Sequence, residues 1–174
     1  MPQRQTEGAI GFDVHLRAVV SPSVMDQRNP HLRATLFDFK NPPDDLMVGR
    51  HVVLSGNGSL AYRMDPHESV LVGIGFVTVM SFPMFYWVAP RSGLSSKHGI
   101  TVTNAPGTVD PDYRGEAGVL VYNRNPTSFD LEYNMRIAQI IFQEAIIPEL
   151  QLVDEYEQLD ESARGAGGFG STGL

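Results

Sequence analysis

Three stretches of this chain gather residue types that act together in chemistry. Residues 104–116 (NAPGTVDPDYRGE) set the turn formers Asn104, Pro106, Gly107, Asp110 and Pro111 around one carboxylate and one aromatic ring. A tight hairpin is expected, with Asp110 and Tyr113 near its tip. Between Val109 and Pro111 the Asp110 carboxylate would be partly desolvated, as a general base requires. Tyr113 offers a flat face to a sugar. The same residues also suit a hairpin whose Asp and Asn only satisfy its turns. Residues 90–99 (PRSGLSSKHG) follow an apolar run, and Ser92 is the expected N-cap of a short helix. Free N–H groups at a helix start suit a phosphate, and Arg91 adds a fork of donors. An ordinary capped turn is the alternative. The third stretch is the glycine-rich end, where Gly165, Gly167 and Gly170 match the spacing of a dinucleotide fingerprint. That fingerprint needs a strand before it and a helix after it, and only four residues follow. A flap is the better reading. Its amides, Arg164, Ser171 and Thr172 can wrap a phosphate chain, and Phe169 can stack on a base for roughly 1–3 kcal/mol. A disordered tail is the alternative.

The elements that must position these groups read as strands. Alternation with a period of two runs through residues 129–133 (FDLEY). Residues 68–79 and 83–89 are rich in β-branched and aromatic side chains. Residues 117–122 and 137–146 are almost continuously apolar, as for strands covered on both faces. Short strands with frequent Gly, Pro and Asn between them predict an all-β sandwich, jelly roll or closed barrel. Residues 21–59 carry Asn29-Pro30, Asn41-Pro42-Pro43 and Gly56-Asn57-Gly58, and read as loops with one or two short strands such as 51–54. There is no internal repeat.

Composition narrows the chemistry. A chain of 174 residues with 42% hydrophobic and 19% charged content suits one domain with a real core. The net charge of −7 gives no basic face for nonspecific nucleic-acid binding. With no cysteine, disulfides and thiolate zinc sites are excluded, among them the zinc deaminase signature. The five histidines show no pair at metal-ligand spacing. No apolar h-region or membrane-length run is present, so a soluble cytoplasmic protein is expected.

Taken in order, these segments resemble the five motifs of the trimeric dUTPase family. Residues 10–18 (IGFDVHLRA) are similar to motif one, 90–100 to motif two, 104–116 to motif three, 136–142 (RIAQIIF) to motif four and 164–173 (RGAGGFGSTG) to motif five. Five motifs in order make the resemblance specific. The chain differs in lacking a strand before motif one and in a long stretch, about 22–58, that looks inserted.

The resemblance implies a distorted jelly-roll or β-clip barrel subunit with one short helix, over residues 1–163, followed by a flexible lid over 164–174. It implies a homotrimer whose active sites are shared between three subunits, and Mg2+-dependent hydrolysis of dUTP to dUMP and pyrophosphate. Asp110 would be the general base that activates water against the α-phosphorus. The hairpin, through Asn104, Gly107, Thr108, Val109 and the backbone near Gly118, would hold the uracil, with Tyr113 under the deoxyribose. Arg91, Ser92, Gly93 and Gln139 would hold phosphates, and Asp13 would reach the metal through water. Arg164, Phe169, Gly170, Ser171 and Thr172 would close the lid. Neither nucleic acid nor membrane is an expected partner, while the inserted stretch leaves room for a protein partner. A related activity, dCTP deamination, uses a glutamate where this chain has Leu120. A regulatory protein gated by dUTP is the other alternative.

Overall fold

Strand follows strand along the chain because β-branched and aromatic side chains fit a pleated, half-buried surface. The computed structural model describes residues 1–41, 51–154 and 161–168. The strands are β1 (Phe12–His15), β2 (Ala18–Met25), β3 (Arg33–Asp38), β4 (Val52–Leu54), β5 (Leu60–Met64), β6 (Ser69–Gly73) and β7 (Met84–Pro90). The single helix, α1 (Ser92–His98), comes next. The remaining strands are β8 (Ile100–Val102), β9 (Gly107–Val109), β10 (Gly118–Asn123), β11 (Phe129–Glu132) and β12 (Arg136–Glu144).

They form three antiparallel sheets in the orders β1-β12-β7-β9, β3-β2-β6-β10-β8 and β11-β5-β4. The architecture is the expected all-β jelly roll with one short helix. Inner faces meet in one core, which includes Val14, Leu16, Val72, Tyr86, Val119, Leu131 and Ile140. Burying each large apolar side chain stabilises the fold by about 1.5–3 kcal/mol.

Four expectations change. The strand foreseen over 68–79 stops at Gly73, and Gly75 then takes a left-handed φ of 77°. Residues 117–122 and 137–146 were expected to be covered on both faces. Instead β10 alternates, with Val119, Val121 and Asn123 buried and their neighbours half-exposed, and β12 becomes exposed toward its end. The stretch read as an insertion is only partly loop. β2 continues into it, and β3 adds a full edge strand to the five-stranded sheet; residues 42–50 lie outside the described residues. Finally, residues 104–116 do not make a tight two-stranded hairpin. β8 and β10 pair with each other, but β9 between them crosses to pair with β7 in the other sheet. Three residues of β9 find their partners in Tyr86, Trp87 and Val88, which local turn signals do not reveal.

Candidate active site

The register of the first sheet assembles one group of candidate residues. Asp13 on β1 faces Gln139 on β12, and Gln139 in turn faces Ala89 on β7. β7 then runs directly into α1. Gln139 Nε2 donates to Pro90 O at 3.0 Å, tying the strand to the helix start. Arg91 Nε donates to Asp13 Oδ1 at 3.1 Å, and Arg136 Nη1 donates to Asp13 Oδ2 at 3.2 Å. Asp13 is only 7% exposed, so two guanidinium groups neutralise a nearly buried carboxylate. Arg91 also donates from Nη1 to Arg136 O at 3.2 Å. It is therefore held from two sides with its remaining donors available.

The cap differs from expectation. Arg91 occupies the N-cap with extended φ and ψ of −90° and 126°, and no side chain caps the helix. Ser92 is the first helical residue, because β7 continues through Pro90 and moves the helix start one residue on. Ser92 and Gly93 are exposed, and a side-chain carbon at Gly93 would meet nothing within 4 Å. An open groove of about 730 Å³ lies here, lined by Arg63, Arg91, Gly93, Lys97 and Arg136 among others. Arg63 forms a two-pronged pair with Asp130, at 2.7 and 2.8 Å, and so contributes less free charge than Arg91.

The loop between β8 and β10 carries the second group. Val109 ends β9 and Asp110 follows on a turn, with Tyr113 N donating to Asp110 O at 3.3 Å. Asp110 was expected to be partly desolvated. In the single chain it is exposed, because only its sequence neighbours flank it, and its carboxylate has no hydrogen bond or ion pair among the described residues. Beside it is a cleft of about 210 Å³ lined by Arg33, Thr108, Val109, Asp110, Tyr113 and Gly118. Drug-sized ligands need roughly 300–1,000 Å³. The cleft suits one ring system. Gly118 has no room for a side chain, since a carbon there would stand 2.7 Å from Leu71 Cδ1. Gly107 is buried beside Asn104, which is itself exposed and outside the cleft lining.

Glu116 locks this loop. It is completely buried and accepts four hydrogen bonds: from Arg17 Nε at 3.0 Å and Nη2 at 2.9 Å, Arg33 N at 3.0 Å and Gly75 N at 2.7 Å. A buried carboxylate is tolerable only when so satisfied. Its backbone carbonyl accepts from the Tyr113 hydroxyl at 3.1 Å, fixing the ring that forms one wall. Sequence reasoning missed Glu116 as an organiser, and missed Arg17, Arg33 and Arg136 as its counterparts. The partners lie too far apart in the chain for local patterns to expose them.

The two groups stand apart in one chain. Val109 pairs with Tyr86, near the start of β7, whereas Arg91 follows its end. The separation between the Asp110 neighbourhood and Arg91 is roughly 20 Å along an extended strand. One triphosphate is too short to touch both. Of the expected lid, Arg164 is exposed in a local turn, where its Nε donates to Gly167 O at 2.8 Å. Phe169, Gly170, Ser171 and Thr172 lie outside the described residues. His51, Asp65 and Glu68 also bring ligand atoms within 4.8 Å of one another. Glu68 there accepts from Tyr62 Oη at 3.0 Å and Asp65 N at 2.6 Å, which accounts for its place in the turn.

The class that fold and clefts define is a jelly-roll protein with a donor-rich groove and a separate ring-sized cleft. Comparison makes this specific. The dUTPase family model matches residues 58–173. A deoxyuridine 5'-triphosphate nucleotidohydrolase of Heliobacterium modesticaldum is 37% identical over all of this chain and 90% of its own length. The chain belongs to the dUTPase family. The fold is shared with a dUTPase of Staphylococcus bacteriophage 80alpha, solved with dUPNHPP (TM-score 0.67, 19% identity, 100% of this chain and 92% of that one). It is shared also with a dUTPase variant of phage phi11 of S. aureus, described with a structural Mg(II) ion (TM-score 0.60, 15% identity, 91% and 92%). No helix among the described residues is long and apolar enough to cross a membrane.

Proposed function

We propose that this protein hydrolyses dUTP to dUMP and pyrophosphate, in sites built between copies of the chain. The relatedness to a dUTP nucleotidohydrolase over the full chain supports the substrate. The observation that carries the mechanism is the unpartnered Asp110 carboxylate lining a ring-sized cleft, far along β7 from the arginine-rich groove. If Asp110 and Arg91 serve one nucleotide, they come from different subunits, which favours the homotrimer over a monomer.

In this reading the uracil enters the cleft between Tyr113 and Gly118, with Gly107, Thr108 and Val109 along its wall. Main-chain groups there read the base edge, and a site built to pair such groups rejects a base that leaves them unpaired. The phosphates lie along Arg91, Ser92, Gly93 and Gln139 of a neighbouring subunit. Asp110 takes a proton from water as its oxygen attacks the α-phosphorus; the bond to the bridging oxygen breaks and pyrophosphate leaves. Packing of a neighbour and of substrate over Asp110 supplies the desolvation that the single chain lacks. Residues 164–174 close over the complex as a lid.

The dUTPase family is generally dependent on a divalent metal. The donors present suit Mg2+, which favours phosphate oxygens, water and one or two carboxylates. Both Asp13 oxygens already accept from arginine, so Asp13 fits contact through water better than direct ligation. When bound, the ion neutralises charge on the departing pyrophosphate.

The test is pyrophosphate release from dUTP, dCTP, dTTP, dATP and dGTP, with Mg2+ and with chelator. Turnover of dUTP alone, dependent on metal, is expected. Comparable turnover of dTTP or dCTP would sink the assignment.

A further inference from the structure

The ring-sized cleft has a wall that comes from outside all five motifs. Arg33 stands at the start of β3, in the stretch that reads from sequence as an insertion. Three contacts clasp this stretch to the loop carrying Tyr113. Glu116 N donates to His31 O at 2.6 Å, His31 Nδ1 lies 2.9 Å from Arg114 O, and Arg33 N donates to Glu116 Oε2 at 3.0 Å. The Arg33 guanidinium is then fixed at both ends: Nη1 donates to Pro22 O at 2.8 Å and Nη2 to the Tyr113 hydroxyl at 3.4 Å.

The nitrogen between them has nothing. Arg33 Nε is the one buried side-chain nitrogen or oxygen among the described residues that lacks a hydrogen-bond partner. It sits 3.4 Å from the position a side-chain carbon on Gly118 would take, in the wall of the cleft. A buried donor on a permanently charged group is costly to leave unpaired, and native structures seldom do so without cause. A ligand with an acceptor in the plane of the guanidinium would remove that cost.

We propose that Arg33 is a specificity-determining residue of this cleft, its Nε–H donating to a carbonyl oxygen of the bound uracil ring. The proposal rests on the dUTP reading above. Uracil carries two carbonyl acceptors on its ring. Purines would not enter a cleft of this size, so the donor meets a pyrimidine or remains unpaired. The contact also gives the β2–β3 stretch a direct role in recognition through one side chain.

The test pairs enzyme and substrate changes. Wild type, Arg33→Lys and Arg33→Met are compared on dUTP, 2-thio-dUTP and 4-thio-dUTP, with KM and kcat measured separately and thermal melting followed. Sulfur is a weak acceptor. In wild type one of the two thio substitutions should raise KM by about tenfold, the loss expected for one charge-assisted hydrogen bond. In both variants KM for dUTP should rise by a similar factor with kcat within about twofold, and that thio substitution should no longer matter. A purely structural role would shift melting and affect all three substrates alike. The proposal is overturned if wild type and Arg33→Lys respond equally to both thio substitutions. Absence of wild-type dUTP turnover would instead sink the functional reading, and this contact with it.

Discussion

A single carboxylate can organise a site without touching its substrate, and Glu116 holds that position here. It joins the β1–β2 connection through Arg17, the β3 start through Arg33 and the residue after β6 through Gly75. Replacing it leaves Arg17 and two backbone donors unmatched. Glu116→Ala should destabilise the fold by about 3–5 kcal/mol, the scale for breaking one side of a buried ion pair, read as a lower midpoint in urea. Asp110 is the contrasting case, since no structural bond depends on it. Asp110→Asn should lower kcat by about 10²–10⁴-fold, with melting temperature and nucleotide affinity nearly unchanged. His15 permits a prediction about pH. Burial, and then the chain's amino terminus, hold its imidazole below the ordinary value of 6.5, against the pull of Asp13. The neutral form is thus favoured by folding. The contribution is complete above pH 6.5 and is lost as pH falls through the lower folded value. Wild type should lose more stability than His15→Gln when the pH is lowered across that window.

At the scale of elements, the candidate groups owe their places to how strands begin and end. α1 is only seven residues long, too short to be stable alone. Leu94 is its one buried residue, and the turn stops at Gly99, whose left-handed φ of 62° lets its N–H bond back to Leu94 and Ser95 carbonyls. Leu94→Ala should cost about 2–5 kcal/mol and disturb Arg91 and Gly93, visible as lower melting together with a higher KM. β10 makes the complementary point. Gly118 opens that strand against Leu71 and beside Arg33. Gly118→Ala should cost about 1–3 kcal/mol through overpacking and partly fill the cleft. Weaker binding of dUTP analogues in calorimetry is the outcome expected, and unchanged affinity would show that this wall is not used.

The whole molecule raises the question of completeness. One chain holds a groove at one end of β7 and a cleft near the other, with no lining residue in common. A second and third copy would bring opposite ends together, which is the physical case for the trimer. Light scattering should give three times the mass of the 19.2 kDa chain. The lid is a matter of the same scale. Truncation before Arg164 removes an exposed turn and the residues beyond it, none of them part of the apolar core. Melting should be unchanged, while kcat/KM should fall by about 10²-fold, the scale of losing groups that position a substrate. Unaltered turnover would refute the lid.

How much was legible in the sequence follows from how far each signal reaches along the chain. Period-two runs and turn residues act over a few positions, so the all-β class, the short helix and strands such as 129–132 could be read directly. The motif residues could be named because chemistry selects residue types at fixed local spacing. The crossing of β9 to β7, the use of β3 as an edge strand, and the bond of Glu116 to Arg17, 99 positions away, depend on contacts with no local signature. Residues 21–59 were read as loop because Pro, Gly and Asn punctuate them, yet pairing with β2 outweighs that composition over 33–38. The sequence by itself determined which groups were available for chemistry and the class of fold that holds them. Only the tertiary structure decided which of them face one another, because hydrogen-bond register and burial are set by partners distant in the chain, and it alone placed the unpaired nitrogen of Arg33 in the cleft wall.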